Sequence, residues 1–467
     1  MSAIVDHLDS VITRLADLAD NPNFDYLQLV VLLGWLQTSF EVLLCRRQLG
    51  CYKRPAPPPE LASHMNKETF DKAQRYGRDK TRFQLLKIVI NQLVTWAILR
   101  RGVYASLWTS TGDLMSTLGL AQDRTITHSL LWFSAIMLIY AVVGLPLDYY
   151  STFVLEERHG FNKSTKKLWV VDQIKTWILF VVLGFPIIAA FLRIIDWAGK
   201  SFVPWLMLFL VVVQLGLQII YPLFIQPFFN KLTPLPEGEL RERVENLAGK
   251  LKFPLKHLYV IDGSKRSTHS NAYFFGTPWS KHIVLYDTLI ERSTAAEVEA
   301  VLGHELGHWY FSHPIKLLGL AQLNLLFMFI TFAIFIHNKA LFSAFGFDPR
   351  LAVSSPTGGP QPIMIGFILF NQVLGPMDTA FTFLANSWTR HFEYQADEFS
   401  VKLEKKEDLG KALIKLHIDN LSSPHSDTLY SMYHHSHPTL PERLRAMDAY
   451  EAKLIANKQQ PEGKKDL

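Results

Sequence analysis

Seven long apolar stretches constrain this chain of 467 residues more than any other feature of its sequence. A helix needs about 20 mostly apolar residues to cross the hydrocarbon core of a bilayer. Only 19% of the residues are charged, against about 25% in an average soluble chain. The sequence therefore predicts a mostly α-helical, polytopic membrane protein with seven transmembrane helices. Their predicted ranges are residues 26–45, 83–99, 129–146, 169–195, 203–225, 317–336 and 363–388.

The second and seventh stretches contain polar side chains at membrane depth. These are Lys87 and Asn91 in the second stretch, and Asn371, Asp378 and Asn386 in the seventh. Polar residues inside a membrane usually face the interior of the helix bundle or a water-filled cavity. The sequence leaves both readings open: hydrogen bonds between helices, or the wall of a functional cavity.

The distribution of lysine and arginine predicts the orientation in the membrane. Residues 46–82 contain ten of these cations and residues 149–168 contain four. The loops between the second and third, the fourth and fifth, and the sixth and seventh stretches contain, with their borders, three, two and two. Short loops rich in Lys and Arg stay in the cytosol. Residues 1–25 lack the apolar core of a cleavable signal peptide, so we expect the first stretch to direct insertion. The N-terminus is then expected on the far side and the C-terminus in the cytosol.

This topology divides the chain into four regions. Residues 1–225 form a membrane part with five spans, and residues 226–316 form a cytosolic loop. Residues 317–388 contain the last two spans, and residues 389–467 form a cytosolic tail. The lipid bilayer is thus a partner of this chain, whereas a formal net charge of +5 is too small to indicate nucleic acid.

The cytosolic loop combines strands with helices. Residues 239–251 are helix-like, and residues 257–261 and 282–286 are strand-like. Between the two strands, residues 270–276 form a short aromatic run closed by Gly and Pro, which is typical of an edge strand or of one arm of a hairpin. The tail is predicted to form helices over residues 389–405, 407–419 and 440–457.

A helix with the metal-binding pattern HExxH closes this loop near residue 314. Thr294, or the serine before it, can cap the helix, and Glu297 can complete a capping box. Four residues advance a helix by about 400°, so His304 and His308 share one face and can reach a single Zn²⁺. Glu305 stands beside them, where it could accept a proton from a metal-bound water molecule. The alternative is a surface helix whose His and Glu are incidental.

A catalytic zinc site needs a third protein ligand and an open position for water. The metzincin pattern would place Gly at 311 and His at 314, but the chain has Phe311 and Pro314, which excludes that subclass. His313 is expected to cap the helix end rather than bind metal. Glu393 and Asp397 are the best candidates, because one carboxylate can bind the metal while the other hydrogen-bonds a ligand histidine. The alternative is a charged helix surface.

Four motifs together resemble the integral-membrane type I CAAX prenyl protease family. They are EERHGFN at 156–162, NAYFFG at 271–276, HELGH at 304–308 and FEYQAD at 392–397, and the resemblance covers essentially the whole chain. In that family a zinc endopeptidase removes the last three residues of prenylated proteins, and the spans enclose a chamber with the zinc site at its cytosolic end. The resemblance therefore implies such a chamber, a small zincin-like α+β catalytic part, one Zn²⁺ per chain and prenylated CAAX proteins as substrates.

The resemblance also implies roles for the residues of the metal site. His304, His308 and Glu393 would bind zinc, and Glu305 would be the catalytic carboxylate. Asp397 would be a paired acidic residue that either supports a ligand or donates a proton.

Further residues would contact the substrate by the same resemblance. Asn271, Ala272 and Tyr273 would form an edge strand that pairs with the substrate backbone, as such strands can do by main-chain hydrogen bonds. His437 or Arg443 would lie near the oxyanion of the transition state. His437 could equally be an ordinary surface histidine.

Lys464 and Lys465, in the last four residues, resemble a cytosolic dilysine signal for retrieval to the endoplasmic reticulum. The alternative is a solvated basic tail.

Two other functions remain open from the sequence. The same enzyme class could clear unprenylated or misfolded membrane-associated chains. A transporter or receptor-like protein could instead hold a structural zinc ion, although such sites normally have four protein ligands. Because only three good ligands and a carboxylate base are found, the sequence favours catalysis.

Overall fold

The computed structural model describes residues 2–121, 123–277, 279–347 and 362–459. The predicted dilysine signal lies outside these residues. The helices of the described chain are α1 Ser2–Ala19, α2 Tyr26–Cys51, α3 Pro59–Ala62, α4 Lys67–Arg100, α5 Val103–Thr117, α6 Thr125–Tyr150, α7 Lys166–Leu179, α8 Phe185–Ala198, α9 Phe202–Ile220, α10 Gln226–Phe229, α11 Glu239–Lys250, α12 Asp287–Arg292, α13 Ala295–Tyr310, α14 His313–Phe335, α15 Lys339–Ala344, α16 Ile363–Lys402, α17 Lys406–Asp419, α18 Thr428–His434 and α19 Leu440–Gln459. The strands are β1 Leu232–Pro234, β2 Leu255–Ile261, β3 Ala272–Thr277 and β4 Ser280–Tyr286.

Five continuous helical segments of the described residues are long and apolar enough to cross a membrane. They contain six of the seven predicted spans, because the segment Lys166–Phe229 has 64 residues and includes both the fourth and the fifth. The second predicted span, in α4, is not among them, since Lys87 and Asn91 lower its hydropathy. The protein is therefore a multi-pass membrane protein, and the count of seven spans stays a prediction.

The 64-residue segment is too long for one crossing. At 1.5 Å per residue it would extend for about 96 Å, about three times the thickness of the hydrocarbon core. The chain changes direction at Gly199, where φ is +55°, a conformation that glycine adopts without steric cost. The helices on either side, α8 and α9, then pack against each other in one apolar cluster that includes Ile195, Phe202 and Leu206.

The four described strands form a sheet in the order β1-β2-β4-β3. The structure confirms the predicted strands 257–261 and 282–286, which pair in parallel as β2 and β4. β3 pairs antiparallel with β4 at the end of the sheet, so the prediction of an edge strand is also confirmed. It begins at Ala272, and Asn271 precedes it. The sequence analysis missed β1, because three residues that include Pro234 are too few to show an alternating pattern.

One face of this sheet packs against α11 and α13. Leu258 of β2 and Ile283 of β4 meet Val244 of α11 and both Val298 and Leu302 of α13, and all five side chains are buried. This shared core holds the HExxH helix rigidly against the sheet.

Several predicted helix boundaries are wrong. The HExxH helix ends at Tyr310 instead of near residue 314, because Pro314 belongs to the first turn of the next helix, α14. Proline is tolerated there because the N–H groups of a first turn have no hydrogen-bond partner within the helix. Residues 389–405 are not a separate helix but largely the end of α16. The short helix α18 and the helix α5, which follows the second predicted span, were not predicted.

The polar residues of the seventh predicted span have different surroundings. Asn371 lines a cavity of about 180 Å³ between α2, α4 and α16. Asn386, near the end of that span, donates a hydrogen bond to the carbonyl of Tyr433 at 2.5 Å. Asn371 thus lines a cavity, whereas Asn386 joins α16 to α18 by a hydrogen bond.

Candidate metal centre

The helix α13 presents two histidines on one face. Thr294 caps it, accepting a hydrogen bond from the N–H of Glu297 at 3.2 Å, while the Glu297 carboxylate accepts one from the N–H of Thr294 at 2.8 Å. The predicted capping box is therefore confirmed. One turn before the helix ends, the Nε2 atoms of His304 and His308 lie 3.2 Å apart.

The third group comes from α16, which crosses α13 closely at Gly307. A Cβ atom at Gly307 would lie 3.1 Å from the Cα of Ala396, so a larger residue would require the two helices to separate by a few tenths of an ångström. The crossing places Glu393 against both histidines. Its Oε1 is 3.2 Å from Nε2 of His308, and its Oε2 is 3.4 Å from Nε2 of His304.

These three side chains have the geometry of a tetrahedral metal site. Their donor atoms all lie within 4.8 Å of one another. Two ligands at 2.0–2.1 Å from one tetrahedral ion are separated by about 3.3 Å. The two histidine Nε2 atoms lie 3.2 Å apart, and the carboxylate of Glu393 places Oε1 3.2 Å from that of His308 and Oε2 3.4 Å from that of His304. Two imidazoles and one carboxylate are also the donor set of catalytic zinc in one class of metalloproteases. The residues present therefore fit Zn²⁺.

Asp397 lies behind His304. Its Oδ1 is 2.9 Å from Nδ1 of His304, on the side of the ring opposite the donor atom. Arg443 is buried and donates two hydrogen bonds to the Asp397 carboxylate, at 2.6 and 2.8 Å. The spacing of the two carboxylates alone left open which of them faces the Nε2 atoms of the histidines, although the family resemblance implied Glu393. In the structure Glu393 lies at these atoms and Asp397 lies at Nδ1 of His304.

The surroundings of Glu305 shift the pKa of its carboxyl group. Burial raises the pKa of the Glu305 carboxyl, and the neighbouring His304 and His308 partly oppose this shift. A carboxylate whose pKa is closer to neutrality takes up and releases protons more readily at working pH.

His437 and Arg443 differ in their exposure. The side chain of His437 is 62% exposed, and its Nδ1 is 2.8 Å from Oε2 of Glu393. Arg443 is buried, and its guanidinium is engaged by Asp397. His437 therefore stands at the open side of the site, whereas Arg443 lies beneath it.

Sequence reasoning missed the place of His313. This residue is the first of α14 and does not cap α13; it is buried, with Nδ1 2.9 Å from Nδ1 of His308. No sequence signal marks the contact, because it depends on the turn between the two helices.

The predicted substrate strand lies next to this helix. Ala272 of β3 shares a core with Leu302 and Leu306 of α13. The hydroxyl of Tyr273 accepts a hydrogen bond from Gln226, while Asn271 is exposed and its side chain accepts one from the next N–H.

The EERHGFN motif contacts both α4 and the segment that precedes β3. Glu156 accepts hydrogen bonds from the hydroxyl of Tyr76 at 2.9 Å, and Asn162 forms an isolated β-bridge with Ser267. Ser267 lies shortly before β3, so the motif fixes the chain that leads into the edge strand.

Comparison with known proteins agrees with this arrangement. Residues 48–231 match the family described as "CAAX prenyl protease N-terminal, five membrane helices", and residues 234–451 match "Peptidase family M48". The CAAX prenyl protease 1 of Saccharomyces cerevisiae is 40% identical over 442 residues, which cover 93% of this chain and 98% of the yeast protein. The chain belongs to the CAAX prenyl protease 1 family.

Other members support the same assignment. The human CAAX prenyl protease 1 homolog is 38% identical over 457 residues, covering 90% of this chain and 94% of the human protein. The crystal structure of S. mikatae Ste24p superimposes with a TM-score of 0.86 at 40% identity, covering 91% of this chain and all of that one. As a member of this family, the protein is a membrane metalloprotease, which confirms the enzyme class predicted from the motifs, and the family implies a bound metal.

Proposed function

We propose that this protein is a zinc endopeptidase that removes the C-terminal tripeptide from prenylated CAAX proteins. The observation that carries the proposal is the convergence of His304, His308 and Glu393 beside Glu305, in a chain whose yeast and human relatives are named CAAX prenyl proteases. One Zn²⁺ per chain would be held by these three ligands.

Each residue then has a distinct task. When bound, zinc polarises the scissile carbonyl and lowers the pKa of a water molecule. Glu305 accepts the proton from the attacking water and returns it to the leaving amine. Asp397 holds His304 in the tautomer that leaves Nε2 free, and Arg443 neutralises the buried Asp397. His437, exposed beside Glu393, is the group best placed to hydrogen-bond the oxyanion.

The substrate peptide would add to the edge of the cytosolic sheet. Among the described strands, β3 pairs on one side only, with β4. Its other side could offer backbone N–H and C=O groups to a peptide, and such pairing is largely independent of side chains. Ala272 and Tyr273 lie in this strand and Asn271 precedes it, so all three belong to the proposed binding segment.

The membrane part would recognise the lipid group of the prenylated substrate. We assign seven spans to the chain, arranged around a chamber, with residues 226–316 and 389–467 forming a zincin-like catalytic part in the cytosol. One apolar cluster supports this division, because it joins the sheet, α11 and α13 to Leu403, just after α16, and to Leu416 of α17. The endoplasmic reticulum is the proposed location, and no nucleic-acid partner is proposed.

Cleavage of a farnesylated CAAX peptide by the purified protein tests this function. We expect release of the C-terminal tripeptide by the parent and none above background by Glu305→Ala. Glu291→Ala, an exposed glutamate on α12, is the matched control and should retain parental activity. A parent that binds zinc but leaves the peptide intact would refute the proposal and favour a structural metal site. Equal cleavage of prenylated and unprenylated peptides would favour a role in clearing misfolded chains.

A further inference from the structure

The two histidines of the metal centre are supported from behind by different groups. His304 has a carboxylate at Nδ1, from Asp397 at 2.9 Å. His308 has a second histidine, with Nδ1 of His313 at 2.9 Å from its own Nδ1. Metal-binding histidines almost always donate this second N–H to a partner that fixes the ring and its tautomer.

Binding of a metal ion at Nε2 of His308 would fix the position of each proton in this chain of groups. Nε2 of His308 faces Glu393 and His304, so a metal ion bound there leaves the proton of the neutral ring on Nδ1. His313 must then accept this proton's hydrogen bond through an unprotonated Nδ1, which leaves its own proton on Nε2. That Nε2 lies 2.9 Å from Oε1 of Gln395, an acceptor.

The ring of His313 is held by the same helix that supplies the third ligand. It stacks on Phe392 with ring centroids 4.2 Å apart and planes inclined by 11°. Phe392, Glu393 and Gln395 are all on α16. The chain reaches this position through Ser312, which has φ +56°, so a left-handed turn between α13 and α14 directs His313 back toward His308.

We propose that His313 is a positioning residue for the metal centre. It accepts the Nδ1–H hydrogen bond of His308, and Gln395 fixes its tautomer, so that Nε2 of His308 is presented to the metal in one orientation. This inference rests on the proposed metal centre and adds a residue to it, and it makes His313 neither a ligand nor a group that contacts substrate.

A pair of substitutions separates this role from simple packing. His313→Asn places an amide oxygen near the position of the Nδ1 acceptor but removes the aromatic ring. His313→Phe keeps a ring that can stack on Phe392 but has no acceptor. The measurement is the Zn²⁺ dissociation constant of the purified full-length protein in detergent, determined by competition with a chelator, with the thermal unfolding of the zinc-free protein as a control on folding.

We expect His313→Phe to weaken zinc binding by about 10–100-fold, the usual effect of losing such a partner, with His313→Asn closer to the parent. Gln395→Leu provides a second test if His313→Phe fails to fold. It leaves the stack intact but removes the acceptor that selects the tautomer, so zinc binding should again weaken.

The outcomes distinguish this inference from the proposed function. Equal zinc affinity in all variants, or equal loss in His313→Asn and His313→Phe, would overturn the role of His313. Failure of the parent itself to bind Zn²⁺ would instead overturn the proposed metal centre. Tripeptide release from the farnesylated peptide tests the substrate class separately.

Discussion

Replacement of Asp397 by asparagine tests how the metal centre is supported. The Asp397 carboxylate accepts two hydrogen bonds from Arg443, at 2.6 and 2.8 Å, and its Oδ1 is 2.9 Å from Nδ1 of His304. Asparagine has nearly the same shape, but it has no charge and only one acceptor oxygen. That single oxygen cannot accept all the hydrogen bonds that the two carboxylate oxygens accept from Arg443 and His304.

Two separable losses are expected. Breaking a buried ion pair from one side costs about 3–5 kcal/mol. We expect about 3 kcal/mol here, because Arg443 keeps a second anion, Glu393, at 3.7 Å. Loss of the group that orients a ligand histidine costs about 10–100-fold in metal affinity, which corresponds to about 1.4–2.8 kcal/mol.

Thermal unfolding of the zinc-free protein in detergent measures the first loss, and chelator competition measures the second. Glu398→Gln changes the neighbouring carboxylate on α16 in the same way and is the control, for which we expect parental values. An Asp397→Asn protein with parental zinc affinity would refute the argument that Asp397 orients His304. A parental unfolding temperature would show that Arg443 does not depend on Asp397.

Two further predictions concern pH and packing. Burial lowers the pKa of His417 to about 4, so the unfolded chain, with an ordinary pKa near 6.5, binds a proton that the folded protein does not. The free energy of unfolding should therefore fall by about 2 kcal/mol from pH 7 to pH 5 because of this residue. His417→Leu should lose less stability than the parent over that range, whereas the exposed control His64→Leu should lose as much as the parent. Identical pH profiles for the parent and His417→Leu would contradict this. Gly307→Ala should lower both the unfolding temperature and zinc affinity, because its Cβ would approach Ala396 to 3.1 Å, whereas Gly249→Ala on α11 meets nothing within 4 Å and should do neither. A Gly307→Ala protein with parental zinc affinity would show that α16 can move aside without disturbing Glu393.

Local patterns in the sequence were sufficient for the elements that depend on near neighbours. The capping box between Thr294 and Glu297 and the spacing of His304 and His308 are properties of a single helix, and the structure has both. Most of the apolar stretches also appear as long helices, because twenty consecutive apolar residues have few other ways to satisfy their backbone in a membrane. α4 is not among the segments apolar enough to cross a membrane, because its polar residues lower its hydropathy and would need partners on neighbouring helices.

Boundaries and pairings between distant segments were predicted less well. The end of α13 was misplaced because proline is compatible with the first turn of a new helix as well as with the end of an old one. β1 was missed because it forms by pairing with β2, which lies more than twenty residues further along the chain.

The sequence by itself determined the membrane class of the protein, the HExxH helix and the residues from which a third ligand could be drawn. The family resemblance implied Glu393 as the third ligand, but only the tertiary structure decided how the two carboxylates lie against the histidines. The crossing of α13 and α16 at Gly307 sets Glu393 against Nε2 of both, and it puts Asp397 behind His304. The turn at Ser312 likewise gave His313 a place behind His308. The physical reason is that helical spacing fixes contacts within one turn, whereas contacts between helices depend on where two backbones can approach.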